Sequence, residues 1–562
     1  MMDRTVPLDG IDREIKDILY GYVKAESITY SHGEKDAARY FLEFFRAQPY
    51  WQTHPEDCGA TPIPGDPFDR APVFAMVRGA GPDTVVLMHH YDVVSVEDFK
   101  LLKPLAFSPD KLEEELRKLS GTLAPEVQAD LASGAYLYGR GVCDMKGGGS
   151  IQMALLRRYS ELVLRDTAAL PGNLMVLAVP DEENLSAGMR AAAPLLARLQ
   201  EQYGLRYRLM INSEPHRRSD PEKGVFSLGS IGKLMPFVYV RGSLTHVSKI
   251  FEGFNPVNLM SEIVRRTELN MDFSDAVASE AAPPPTWLYL RDRKQEYDVS
   301  VPLSIAGCFS VLTMKQTPAV VLEKVRAICQ DSFDAVLSRM NDSYARFCAA
   351  AGQSPAPLPW KPVVTDFSTL YQEALAGHGD DFRTGYEAEL DRLGREMRTG
   401  GRTMLECNFA LVDYVCNYVD DPSPRVVYGL IPPYYPSTAN LFMEGLAPEI
   451  AGIQDILNEF TQREFGQTYT SEHFFTGISD LSYAAISDGD GIVRALEDAM
   501  PFFGNLYDIP IADIEQISMP CINIGPWGKD LHKMTERVLK EDLYHRTPRI
   551  IRHAIETVLG IG

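Results

Sequence analysis

Residues 85–94 read VVLMHHYDVV. The apolar run Val85 to Met88 is what a buried parallel strand requires, and the polar residues after it are ones a core would not choose. Side chains alternate along a strand, so His90 and Asp92 emerge on the same side at its C-terminal end. That is the pattern of a metal-ligating histidine with a carboxylate placed to orient it, because a ligating imidazole commonly gives its second N–H to a carboxylate or carbonyl. Taken alone, the stretch reads better as a satisfied histidine beside a strand-end aspartate. The rest of the chain decides between the two.

Upstream, apolar residues at helical spacing predict amphipathic helices over 8–24 and 33–47, followed by a strand over 73–78 and a turn at Gly79-Ala80-Gly81-Pro82. Downstream, a charged excursion over 95–130 carries a helix at 109–119. The segment YLYGRGVCDMKGGG at 136–149 then places Asp144 before three glycines and an apolar helix over 150–164. A glycine-rich turn feeding a helix can cradle phosphate, but the G-x-x-x-x-G-K-[ST] spacing is missing. Glycines that let the backbone crowd against Asp144 suit a metal-bridging carboxylate equally well. A strand over 174–179 runs into Pro180-Asp181-Glu182-Glu183-Asn184, and another over 207–211 into Asn212-Ser213-Glu214-Pro215. Adjacent acids usually mark a solvated loop. A functional reading gives one carboxylate to a metal and leaves its neighbour free as a general base. In open α/β sheets ligands bind beyond the carboxyl ends of the strands, so these separate junctions converge.

The totals fit such a centre. With 562 residues the chain is expected to form two to four domains, and 55 basic against 77 acidic residues give a net charge of −22, which argues against a nucleic-acid or anionic-membrane surface. Eight scattered cysteines without a C-x-x-C pair fit free thiols in a reducing compartment. The N-terminus lacks a basic region followed by an apolar core, and no run approaches the ~18 apolar residues of a membrane span, so a cytoplasmic protein without membrane contact is expected. From Gly229 the order strand, helix, strands, helix predicts a separate small α+β domain inserted into the first. The expected division is 1–232, 233–368 and 369–562, with helices over 318–340 and 369–420, strands around 297–313 and 426–431, a helix over 447–465 and a closing helix from 535.

The whole set resembles the co-catalytic zinc peptidases and amidohydrolases that include carboxypeptidase G, aminoacylase and succinyl-diaminopimelate desuccinylase. Motif order, motif context and the inserted domain carry the likeness. The length, the HHYDVV stretch, the PPYYP segment at 432–436 and the ending GPWGKDLHKMTERV are most similar to a member of that family used in arginine utilisation. The resemblance implies an α/β fold: a zinc-exopeptidase-like catalytic domain, with a mixed, mostly parallel sheet flanked by helices, and an inserted α+β lid or dimerisation domain. It implies two divalent metal ions, zinc first, with cobalt or manganese as alternatives. His90 and Glu214 would hold one ion, Glu183 and His532 the other, and Asp144 would bridge them. Asp92 would orient His90, and Glu182 would be the general base for a hydroxide bridging the ions. His246 would polarise the carbonyl, often from a partner subunit, and so implies a homodimer or a closing domain. Gly477 and Ser479, in a turn similar to the family's Gly-Thr-Ser-Asp, would contact a small amide or peptide substrate. The segments 297–302 and 309–314 depart from the family in lacking the Asn and Arg of a carboxylate clamp. A non-catalytic metal-binding protein of the same fold is the alternative from another class, and a nucleotide-binding protein using Gly147 to Gly149 is a third.

Overall fold

The run at 85–88 is the middle of a strand, Asp83–His90, buried along nearly its whole length. The computed structural model describes residues 5–218 and 220–561. Strand Asp83–His90 lies in an eight-stranded sheet, parallel to Asn173–Val179 on one side and to Arg206–Asn212 on the other. Cys521–Asn523 continues the parallel set beside Arg206–Asn212. Val73–Arg78 runs antiparallel to Asn173–Val179, and Gly224–Ser227 antiparallel to Cys521–Asn523, so the sheet is mixed with a parallel centre. Val73–Arg78 and Asp83–His90 are therefore not a hairpin, since Asn173–Val179 passes between them. The turn allows this because Gly79 has no side chain: a Cβ there would stand 2.1 Å from the Leu170 carbonyl oxygen and 2.2 Å from that of Gly172.

Helices cover the sheet with their apolar stripes. Ile11–Val23 buries Ile11, Ile15, Ile18, Leu19 and Tyr22, close to the predicted face. Lys146–Arg165 starts four residues before its expected position, so the three glycines form its first turn. They do not crowd Asp144. A Cβ on Gly147 would lie 2.2 Å from the Val142 carbonyl oxygen, on Gly148 2.3 Å from that of Ser213, and on Gly149 2.4 Å from the His89 ring. The glycines thus seat the helix against the ends of two strands, and this packing accounts for them without a phosphate. The excursion after Val93 has its own small core of Val93, Phe99, Leu112, Leu116, Val127 and Tyr136.

The chain divides into two units, one running up to Ile231 and including Thr438–Ser487 and everything from Pro510, the other comprising Gly232–Ser437 and Asp488–Ile509. The insertion therefore does not close near 368. It continues to Ser437 because Arg425–Leu430 is an inner strand of the second unit, antiparallel to Pro236–Arg241 and parallel to Val364–Asp366. That sheet also holds Thr286–Asp292 and Ser304–Thr313, while Tyr297, expected in a strand, is 93% exposed in the loop between them. The second unit's helices include Pro318–Ala350, ten residues longer than expected, and Phe367–Arg398. In the first unit the helix expected over 447–465 is broken at Gly452 into Pro448–Ala451 and Ile453–Phe465. The closing helix, Thr547–Leu559, is entered through a π-helical turn, Asp542–Arg546, rather than starting at 535, because Arg537–Leu539 pairs instead with Tyr136–Tyr138. Among the described residues no helix is long and apolar enough to cross a membrane.

Candidate metal centre

Alternation separates the two neighbouring histidines. His89 faces the helical layer, where its Nδ1 lies 2.9 Å from Gln152 Oε1 and its Nε2 3.2 Å from the Tyr22 hydroxyl; burial pushes its pKa down to about 3. His90 faces the centre. Its Nδ1 is 3.0 Å from the backbone carbonyl of Asp92 and 3.5 Å from Asp92 Oδ1, so the carbonyl is the nearer partner. Its Nε2 points at two carboxylates, 3.1 Å from Asp144 Oδ1 and 3.3 Å from Glu214 Oε1.

Asp144 faces both ways. Its other oxygen, Oδ2, is 3.2 Å from His532 Nε2, which also lies 3.1 Å from Glu183 Oε1. Two donor triads, His90–Asp144–Glu214 and Asp144–Glu183–His532, thus share one carboxylate, and the ligand atoms within each triad lie within 4.8 Å of one another. His532 is not near a helix start: it has a φ of 65° and follows the short strand Gly528–Lys529. Glu182 belongs to neither of these two triads, although with His90 and Glu183 it makes a third group whose donor atoms lie within 4.8 Å of one another. Its carboxylate stands 4.0 Å from His90 Nε2 and is 11% exposed.

The donor chemistry is that of a divalent cation site. Carboxylates this close repel one another: burial first, and the neighbouring carboxylates with it, raise Glu214 to about 7 and push Glu182 well above the ordinary carboxylate range. The field favours positive charge: hydrogen bonds to Asp144 and Glu183 raise His532 to about 10. Imidazole nitrogen and carboxylate oxygen, with no thiolate, suit zinc, manganese or cobalt.

The acids at 181–183 avoid mutual repulsion by dividing. Asp181 turns away and pairs with the buried guanidinium of Arg70, which also pairs with Glu34 at 3.2 Å and Asp66 at 2.7 Å. Glu34 in turn accepts the Asp181 backbone N–H at 2.9 Å. Asp92 holds the other two: its oxygens accept the N–H of Glu182 at 3.1 Å and of Glu183 at 3.2 Å, together with the Thr29 hydroxyl at 2.9 Å. Asp92 thus ties one strand end to the next, beyond its expected contact with His90. Removing one partner from a buried ionic cluster leaves the others uncompensated. Arg70→Met is therefore expected to cost about 3–5 kcal/mol, read as a fall in the urea midpoint, and Asp181→Asn in that background is expected to recover part of it. An unchanged midpoint in Arg70→Met removes Arg70 from this role.

Three other residues nominated from the sequence stand outside the donor groups. Ser479 is fully buried, its Oγ accepting from Asn212 Nδ2 at 3.0 Å and from the Leu481 N–H at 3.2 Å, so its hydroxyl is committed to the fold. Gly477 is exposed on the wall of a cleft. His246 belongs to the second unit, is exposed, and accepts the Ser248 N–H on Nδ1 at 3.2 Å, which leaves Nε2 carrying the proton.

One member of the centre was invisible in the sequence. Glu536 is completely buried, and a single oxygen, Oε1, accepts the backbone N–H groups of Gly141 at 2.9 Å, Cys143 at 3.2 Å and Asp144 at 3.2 Å. Its other oxygen takes Arg140 Nη1 at 2.6 Å. Burial raises the carboxyl to about 7. Its only local sign is that it follows His532 by four residues, a spacing with no meaning of its own.

The sequence pattern of peptidase family M20/M25/M40 matches residues 86–556. The chain is 29% identical over 541 residues to protein RocB of Bacillus subtilis (strain 168), covering 94% of this chain and 92% of RocB. It is also 29% identical over 551 residues to uncharacterized protein YqjN of the same organism, covering 97% of this chain and 96% of YqjN. Among solved structures, the M20 family metallo-carboxypeptidase Sso-CP2 from Sulfolobus solfataricus shares the fold, with a TM-score of 0.51 at 12% identity over 97% of this chain and 98% of that one. A two-triad donor set at the ends of parallel strands and a match over most of the length agree: the chain belongs to peptidase family M20/M25/M40.

Proposed function

We propose that the protein hydrolyses an amide or peptide bond of a small amino-acid-derived substrate, as an exopeptidase or N-acyl-amino-acid deacylase. The observation that carries this is Glu182, a carboxylate 4.0 Å from His90 Nε2 and in excess of the five donors that two triads sharing Asp144 supply, because a purely structural metal site has no use for it. His90 and Glu214 are the residues for one divalent ion, Glu183 and His532 for the other, with Asp144 across both. Bound ions, zinc in the first place, supply Lewis acidity toward the carbonyl and lower the pKa of water.

The chain's own groups do the rest. Glu182 takes the proton of the attacking water and later delivers it to the departing amine nitrogen, the two halves of general base and general acid catalysis. The Asp92 carbonyl keeps the His90 Nδ1 proton in place, so Nε2 presents its lone pair to the centre. The Nε2–H of His246, supplied by closure of the second unit or by the partner in a homodimer, donates to the carbonyl oxygen as it gains charge, an interaction worth about 3 kcal/mol. The resemblance of the sequence to the family member used in arginine utilisation supports a role in arginine or amino-acid catabolism, and the eight buried free cysteines support a reducing, cytoplasmic setting.

The test is amine release by protein loaded with zinc, cobalt or manganese, across dipeptides, N-acyl amino acids, and amides of arginine and ornithine. Release that chelation abolishes and metal restores is the expected result. Two bound ions with silence across the panel would replace this reading with that of a non-catalytic metal-binding protein.

A further inference from the structure

The ladder between strands Asp83–His90 and Arg206–Asn212 ends at the pair Met88 and Asn212. Past it the two strands are free to part, and each carries a donor of the first triad two residues further on, His90 and Glu214. Gln152 sits in this fork. It is completely buried, and its Nε2 donates to the Met88 carbonyl at 2.8 Å and to Ser213 Oγ at 2.8 Å, with the Ile211 carbonyl at 3.4 Å. One end of that bridge lies two residues before His90 and the other one residue before Glu214. The Met88 carbonyl can only accept, so the amide nitrogen faces it and Oε1 faces His89. His89 Nδ1 therefore carries the proton that Oε1 accepts, and its Nε2 accepts from the Tyr22 hydroxyl. A directed chain of hydrogen bonds thus runs from Tyr22 through His89 and Gln152 to both strand ends, with every side chain in it buried. Gly148 and Gly149, one turn earlier on the same face of the helix, bring Gln152 this close by packing bare Cα atoms against Ser213 and His89.

We propose that Gln152 is a positioning residue that sets the separation of His90 and Glu214, and so tunes the His90–Asp144–Glu214 triad without acting on Asp144–Glu183–His532. This rests on the two-ion part of the reading above and not on the hydrolysis. Ligands of a metal site have to be held to within ~0.5 Å, by neighbours whose own conformations are locked. A primary amide has two N–H donors, so one side chain spans two acceptors on two strands, and its oxygen is itself pinned from behind by His89. The donors of the other triad hang from different segments. Glu183 follows strand Asn173–Val179 and His532 follows Gly528–Lys529, and neither side chain is bonded to Gln152 among the described residues. Loss of the bridge therefore loosens one ion and spares the other.

The experiment measures zinc dissociation constants by competition with a chromophoric chelator, with one site removed at a time: Glu183→Gln leaves the His90 triad whole, and Glu214→Gln leaves the His532 triad whole. In the Glu183→Gln protein, Gln152→Met is expected to weaken zinc about 10- to 100-fold, the usual effect of disturbing a group that orients ligands. Ser213→Ala is expected to weaken it less, since the bond to Met88 survives. In the Glu214→Gln protein both are expected to leave the constant unchanged. Asn173→Leu measures structural damage alone. Asn173 is a buried amide at the far end of the same strands, its Nδ2 3.0 Å from the Gly81 carbonyl and 3.0 Å from Thr84 Oγ1. Its loss is expected to lower the urea midpoint and to leave zinc affinity at both sites alone. Equal weakening at the two sites, or weakening no greater than that in Asn173→Leu, overturns the proposal and leaves the two-ion reading standing. If Gln152→Met does not fold, Ser213→Ala decides by the same comparison. A wild-type protein that takes up fewer than two zinc ions overturns the two-ion reading, and the proposal falls with it.

Discussion

Glu182→Gln is expected to keep both metal ions and to lose at least ~100-fold in turnover, the lower end of what a positioned general acid–base contributes. The amide is nearly isosteric with the carboxylate. The backbone on which it sits is fixed independently of the side chain, by the Glu182 N–H to Asp92 Oδ1 and by the Asp181 N–H to Glu34. What the substitution removes is the ability to take and return a proton. Its neighbour gives the control: Glu183→Gln removes a donor from the triad with Asp144 and His532, so it is expected to lose bound metal first and activity as a consequence. Metal content by elemental analysis, set against kcat for the two variants, separates the roles. Unchanged turnover in Glu182→Gln would sink the assignment of the base, and loss of metal from it would move Glu182 into the ligand set.

Those two adjacent residues also show how far the sequence could be read. Their strand was visible because its apolar run is continuous and ends abruptly, and the rule that parallel strands offer ligands at their carboxyl ends placed His90, Asp144, Glu183 and Glu214 together. The structure brings these residues to one centre. His532 entered only through a family likeness, since its loop has no periodicity and its φ of 65° belongs to an irregular turn. The division of labour among the three acids was out of reach. Asp181 is set apart by Arg70, 111 positions away, and no local pattern announces a partner at that distance. The second boundary of the insertion failed for a related reason. The strand Arg425–Leu430 is apolar and buried whichever sheet it joins, so composition could not say that its partner is Pro236–Arg241.

The same long-range logic makes Glu536 the second residue whose loss is expected to be severe. Its carboxylate gathers the N–H groups of Gly141, Cys143 and Asp144, and so fixes the turn that aims the shared Asp144 carboxylate at both triads. It sits on the chain four residues after His532, so one side chain couples a donor of the second triad to the bridge between the two. In Glu536→Ala three buried N–H groups lose their acceptor, and the Arg140 guanidinium, itself 1% exposed, keeps only the partly exposed Asp98, at 3.3 Å, as an acid partner. Removing one partner of a buried ion pair costs about 3–5 kcal/mol, so a fall in stability of up to that size is expected in the urea midpoint. Glu536→Gln retains an oxygen that accepts the three N–H groups but gives up the charge facing Arg140. It is expected to fold and to bind metal about 10- to 100-fold more weakly, the usual effect of disturbing a group that orients a ligand. The discriminating measurement is metal affinity by chelator competition in the glutamine variant, where stability is least perturbed. An affinity equal to wild type would show that Asp144 is aimed by its own backbone and that Glu536 serves only to neutralise Arg140.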